Sequence, residues 1–261
     1  MNALTKFIRG LIAIIRSPRL ISAVLHDQRY WKERFNNEFG QSDVLPSIPL
    51  TTFLSDRSIL EQYSFSGDAS MVTDLLVLKK LAMRESVRSY CEIGTWRGES
   101  ARAVAPHVDQ VVTIDLPENA MRQSGVDQTV IDQVGILVKS IDSVKCVRED
   151  STTMDFSALG GKFDLIFIDG DHRAEYVTRD TKNVFHHLCH EKSIVVWHDY
   201  GIDPDNVRWE VYYGIMKGVP AGTMVKHVSG TKCAIAGGNW PGVESNSKDA
   251  PLWRVTLDRR T

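Results

Sequence analysis

The sequence has little of what marks several common protein classes. Its four cysteines, Cys91, Cys146, Cys189 and Cys233, are scattered and none stands in Cys-x-x-Cys spacing. That pattern fits free buried thiols in a reduced, cytoplasmic setting rather than a disulfide framework. No apolar run approaches the roughly 18 residues that a membrane-spanning helix needs. Internal repeats and low-complexity tracts are absent as well. A net charge of −2 gives no global basic field, so nucleic acid is not an expected partner. What remains is 261 residues, 43% of them hydrophobic, enough to bury a full core. One α/β domain of roughly 170–200 residues with an appendage fits that length.

A dinucleotide fingerprint is also missing, although its surroundings are present. The run Tyr90-Cys91-Glu92-Ile93-Gly94-Thr95-Trp96-Arg97-Gly98-Glu99-Ser100 reads as a strand ending at Glu92, a glycine turn and a helix opening near Gly98. A second strand, Val111 to Asp115, delivers a carboxylate 21 residues after Gly94. This is the layout of a nucleotide-type cofactor site at the end of an open α/β sheet. Counted from Gly94, however, the third and sixth positions hold Trp96 and Glu99, so no pyrophosphate cradle forms and a dehydrogenase is disfavoured. An acid two residues before the first glycine, followed by Gly-x-x-x-Gly, resembles motif I of the class I S-adenosylmethionine-dependent methyltransferases. The resemblance implies a turn of Glu92, Gly94, Thr95, Gly98 and Ser100 around the methionine part of S-adenosyl-L-methionine, with Asp115 on its ribose. Asp150 and Ser151, after a third strand, either hydrogen-bond the adenine edge or cap the next turn.

Periodicity divides the chain into a helical N-terminal extension (1–65), a cofactor-binding domain (66–238) and a polar tail (239–261). From Leu4 to Ile15 a helical wheel puts Leu4, Phe7, Ile8, Leu11, Ile12, Ile14 and Ile15 on one face and Lys6, Arg9 and Arg16 on the other. Such a helix either lies on an anionic membrane surface through residues 4–16, at the inner face of the membrane, or packs on the domain or a second subunit. A second helix is expected over Leu20 to Phe35, and 36–49, with three glycine or proline residues, as an irregular connection. In the domain, Ser70 caps a helix through Lys80. Strands are predicted at 89–92, 110–115, 143–148, 163–168 and 193–197, and helices at 99–108, 127–136, 174–188 and 207–216. Residues 223–228 and 232–236 form a hairpin. The result is a doubly wound, seven-stranded, mostly parallel Rossmann-like sheet.

Two strand ends carry the chemistry. Phe163 to Ile168 leads into Asp169-Gly170-Asp171-His172, and Ile194 to Trp197 leads into His198-Asp199-Tyr200. Carboxylates and imidazoles after buried strands need a partner, a ligand or water. Asp169, His198 and Asp199 make a donor set for a divalent metal, and a metal-free network orienting a catalytic histidine is the alternative. Together with Glu175-Tyr176-Val177 and Asp180, these runs resemble a bacterial methyltransferase group related to the catechol O-methyltransferase branch, over about Gly67 to Gly237. Members of that group often lie among polysaccharide or antibiotic biosynthesis proteins. The resemblance implies that Asp169 with His198 and Asp199 occupy the places that hold magnesium, and that His172 stands where a lysine takes the substrate proton. Histidine at 198 widens the choice of metal to magnesium, manganese or zinc, or to none. Histidine at 172 suits a base working near neutral pH. The expected activity is therefore O-methylation of a small-molecule or sugar/glycan hydroxyl, in a monomer or a homo-oligomer. A non-catalytic scaffold would not need these polar strand ends, and no Asn/Asp-Pro-Pro-Tyr motif suggests a nucleic-acid methyltransferase.

Overall fold

The computed structural model describes residues 3–16, 21, 26–40, 44–54 and 70–237. The chain divides into two compact units, residues 1–43 and 44–261. The first contains α1 (Ala3–Arg16) and α2 (Gln28–Phe39). The start of α2 is set by Asp27, whose carboxylate accepts from the Arg29 amide at 3.0 Å. That cap places the helix later than the expected 20–35; residues 17–20 and 22–25 lie outside the described residues.

The second unit is built on one sheet of β1 (Ser47–Pro49), β2 (Ser89–Ile93), β3 (Gln110–Asp115), β4 (Val144–Arg148), β5 (Leu165–Ile168), β6 (Ile194–Trp197), β7 (Lys226–Ser229) and β8 (Ala234–Ala236). Its order is β1-β7-β8-β6-β5-β2-β3-β4, and every neighbouring pair is parallel except β6–β8 and β7–β8. This is the expected doubly wound sheet with an eighth strand added. The extra strand, β1, falls in a segment read as irregular. It pairs Ser47, Ile48 and Pro49 with His227, Val228 and Ser229 of β7. Proline is admissible there because β1 is an edge strand, where one missing N–H disturbs no further ladder.

β5 and β6 are buried at every position, as parallel strands between two helix layers must be, whereas edge strand β4 exposes Lys145, Cys146 and Arg148. Leu78 and Leu81 of α3 (Val72–Ala82) and Val104 of α4 (Glu99–Val104) pack with Tyr90, Val111, Leu165 and Val196 of the sheet. α3 starts one residue past Met71 rather than at a Ser70 cap, and the Asp74 carboxylate accepts from the Met71 amide at 3.1 Å. After β3 come α5 (Glu118–Gln123) and α6 (Gln128–Ile131), with turns in place of helix over 132–136. α7 (Ala174–Asn183) ends in a π-helical turn, Val184–Leu188, so the expected helix 174–188 changes its winding in its last turn. α8 (Trp209–Gly218) packs tightly on α7: a Cβ at Gly214 would lie 2.7 Å from the Val177 Cβ, and one at Gly218 2.5 Å from the Thr181 Cβ. The expected domain start at Ser66 to Asp68 and the tail from Asn239 lie outside the described residues.

Candidate active site

The sheet reverses its direction of growth between β2 and β5. From β2 the chain proceeds through α4 to β3 on one side; from β5 it proceeds through α7 to β6 on the other. Right-handed crossovers then put α4 and α7 on opposite faces and open a crevice at the carboxyl ends of β2 and β5. Gly94 and Asp169 form its floor. The Gly94 amide donates to Ile114 O and the Asp169 amide to Ile93 O, each at 2.8 Å. Gly94 has φ 98°, and a Cβ there would sit 2.0 Å from the Asp169 carbonyl oxygen. The glycine is therefore demanded by the neighbouring strand end as well as by any ligand.

Two cavities meet at this floor. One, of about 630 Å³, runs from Gly94, Trp96 and Asp115 past Met121, Val130 and Val134 to Asp150, Ser151 and Asp180. The other, of about 460 Å³, is lined by Ser70, Thr95, Ser100, His172, Asp199 and Lys232. They share Gly94, Trp96, Asp169 and Gly170. A ligand group leaving one cavity for the other must pass these four residues.

The residues expected at a cofactor divide between the two. The Asp115 carboxylate accepts from the amides of Trp96 at 3.0 Å and Leu116 at 2.8 Å. Burial raises its pKa, and these hydrogen bonds oppose the rise. Asp150 lines the larger cavity while accepting from Thr152 N and Oγ1 at 2.8 and 2.7 Å, so the turn-capping and lining roles coexist. Ser151 Oγ donates to Asp180 at 2.7 Å, and burial pushes the Asp180 carboxyl up to about 7. Thr95 and Ser100 line the smaller cleft, whereas Glu92 and Gly98 line neither. Gly98 caps α4 at φ 91°, where a side chain would meet Val138. Glu92 is fully buried: its Oε2 accepts from Tyr90 Oη at 2.7 Å and Ser100 Oγ at 2.6 Å. Its Oε1 and the Trp96 Nε1 have no hydrogen-bond partner among the described residues. Burial pushes the Glu92 carboxyl up to about 8.

The smaller cleft holds a charge network. His198 uses both ring nitrogens: Nδ1 lies 3.0 Å from Asp169 Oδ1 and Nε2 2.9 Å from Asp74 Oδ2. Burial alone would lower the imidazole's pKa, but Asp169, Asp199 and Asp74 outweigh it and raise it well above the usual value. With both nitrogens engaged, His198 has no lone pair to offer the expected metal set. The three groups whose ligand atoms lie within 4.8 Å of one another are instead Asp169, His172 and Asp199. Asp199 is itself surrounded by basic side chains. Its Oδ2 lies 3.1 Å from His172 Nδ1 and 3.0 Å from Arg208 Nη1, and its Oδ1 lies 3.7 Å from Lys232 Nζ. Against the burial that would raise it, His198, His172 and Arg208 hold the Asp199 carboxyl far below the usual range. A divalent ion prefers carboxylates whose charge is not already matched, so this donor set fits a hydrogen-bonded histidine better than a metal centre.

Sequence reasoning missed Asp74, Arg208, Lys232 and the cavity role of Trp96. Asp74 left a signal, because an acid inside the apolar stripe of a helix needs a buried partner. Arg208 and Lys232 left none, since both reach Asp199 from irregular loop positions.

With this geometry in place, comparison with known proteins is informative about the middle of the chain. Residues 91–200, 110 of the 261, match a family described as a methyltransferase domain. No curated protein sequence matches the chain. Among solved structures it is similar to the SAH-bound methyltransferase PaMTH1 of Podospora anserina, at 18% identity and TM-score 0.46, over 66% of this chain and 80% of that one. It is also similar to cofactor-bound Rv0187 from MTB, at 22% identity and TM-score 0.42, over 66% and 82%. SAM-bound CalS10 of Micromonospora echinaspora, an amino pentose methyltransferase, is similar at 17% identity and TM-score 0.33, with about half of each chain covered, 47% in both cases. Residues 91–200, which match the methyltransferase-domain family, carry Gly94, Asp115, Asp169, His172, His198 and Asp199.

Proposed function

We propose that the chain is an S-adenosyl-L-methionine-dependent O-methyltransferase acting on a hydroxyl of a small molecule or glycan. The observation that carries this reading is the meeting of two cavities at Gly94, Trp96, Asp169 and Gly170. The larger has the size and mixed lining of a nucleoside site: apolar walls, Asp115 at a strand end, and the unpartnered donor Trp96 Nε1 at the junction. The smaller is polar and carries an oriented histidine, which suits an acceptor with several hydroxyls. That the acceptor is a sugar rests on the family resemblance.

When bound, the cofactor supplies an electrophilic sulfonium methyl for in-line displacement. The chain's task is then to align the acceptor oxygen and take its proton. Asp115 offers carboxylate oxygens to ribose hydroxyls, and the floor of the crevice fixes the depth to which a ligand enters. In the smaller cleft, Asp199 Oδ2 lies 3.1 Å from His172 Nδ1, and a proton held on that nitrogen by the neighbouring carboxylate leaves the Nε2 lone pair free. As the C–O bond forms, the hydroxyl proton passes to that Nε2. Arg208 and Lys232 keep Asp199 ionised, which stabilises the imidazolium that results.

The second reading, a divalent metal at Asp169, His172 and Asp199, is favoured by the closeness of their ligand atoms. One experiment addresses both. The purified chain is incubated with methyl-labelled cofactor and a panel of glycans and small hydroxyl compounds, after chelation and with added magnesium, manganese or zinc. Label transfer that survives exhaustive chelation supports the histidine route; transfer that requires an added ion supports the metal. No label on any acceptor, together with thermal stabilisation by NAD and none by the sulfur ligands, overturns the methyltransferase assignment.

A further inference from the structure

α1 presents a surface that no part of the methyl-transfer reading uses. Leu4, Phe7, Leu11 and Ile15 stand along one face of the helix, with 66, 68, 49 and 69% of their surface exposed. An isolated helix of 14 residues is marginal in water, so this face needs a second surface to complete it. The helix is about 21 Å long, shorter than the bilayer core, and no described helix is long and apolar enough to cross a membrane.

Charge decides what that surface is. Lys6, Arg9 and Arg16 lie on the side opposite the apolar face. From Met1 to His26 the sequence has four lysine or arginine residues and no acidic one. Two copies of α1 packed face to face would cover the apolar face but leave all of these cations pointing outward, with no carboxylate in the segment to balance them. An anionic bilayer balances them directly, accepting the apolar face at the acyl boundary and the cations among its headgroups. We propose that α1 is an in-plane anchor that binds this chain to the surface of an anionic lipid bilayer. The proposal is independent of the reaction proposed above, since it invokes no residue of either cavity.

Vesicle sedimentation with the full-length chain tests it. The chain should sediment with phosphatidylcholine vesicles containing about 30% phosphatidylglycerol and remain in solution with phosphatidylcholine alone. Binding should weaken steeply as salt rises to about 0.5 M, where surface charges are screened. Lys6→Gln with Arg9→Gln should lower partitioning roughly 30-fold, at about fivefold per charge. Phe7→Asp with Leu11→Asp should abolish it, and because both side chains are exposed the melting temperature should not move. Equal binding to neutral vesicles, or no binding to anionic ones, overturns the proposal. So does a concentration-dependent oligomer that the Phe7→Asp/Leu11→Asp chain fails to form, which would assign the face to a second copy.

Discussion

His172 and Glu92 are the two side chains whose surroundings make the sharpest predictions at the residue scale. His172 is nearly half exposed, lines the smaller cleft but not the larger cavity, and is tied to Asp199 through Nδ1. Its removal in His172→Ala should lower kcat by about 100-fold or more, the usual contribution of a positioned base. Cofactor Kd, read by calorimetry, should not change, and added imidazole should restore part of the rate because the vacated position opens to solvent. Wild-type turnover in the mutant would reduce His172 to a tie between two loops. Glu92 makes a prediction about stability. Its folded-state pKa of about 8 lies above the ordinary 4.5, so protonation favours the fold. That contribution is present in full below pH 4.5 and is lost as the pH rises through about 8. Glu92→Gln keeps an oxygen to accept from Tyr90 and Ser100 and carries no charge. Its melting temperature should therefore fall less than that of the parent chain over this range; parallel curves would show that the buried carboxylate ionises without penalty.

Among the elements, α3 does more than cover the sheet. Through Asp74 its first turn binds the Met71 amide, the Lys232 amide of the loop before β8 at 2.8 Å, and His198 at the end of β6. Asp74→Ala would strand two backbone donors and leave a buried imidazolium with one carboxylate fewer. A loss of about 3–5 kcal/mol is expected in denaturant unfolding, as for other broken buried pairs. A loss under about 1 kcal/mol would mean that water replaces the carboxylate. The same helix shows where sequence patterning stops. Its apolar stripe was legible because Leu75, Leu78 and Leu81 repeat at helical spacing, and β5 and β6 were legible as apolar runs bounded by polar residues. β1 was not: three residues that follow Pro46 and end in Pro49 show no alternation, and only pairing with β7, 180 residues away, makes them a strand.

For the whole molecule, the strand-end chemistry was legible as a set of residue types, whereas its wiring was not. Asp169, His172, His198 and Asp199 follow buried strands and had to converge, yet whether His198 ligates an ion or bridges two carboxylates depends on Asp74, 124 positions earlier. Pairings at such separations are written in the fold and not in any local spacing. The cavities, by contrast, draw their lining from 70–232 alone, within the second unit. Cofactor binding should accordingly be a property of residues 44–261. A ligand of the native state at 100 times its Kd stabilises by about 2.7 kcal/mol, and a domain of this size shifts by roughly 2–4 °C per kcal/mol. S-adenosylhomocysteine at that excess should thus raise the melting temperature by about 5–10 °C. The shift should be the same in the full chain and in one lacking residues 1–43, and Asp115→Ala should cut affinity about 10- to 100-fold in both, as expected for one charge-assisted hydrogen bond. If the truncated chain folds but loses the shift, the N-terminal unit supplies part of the cofactor site, and the reaction would then be coupled to whatever surface α1 binds.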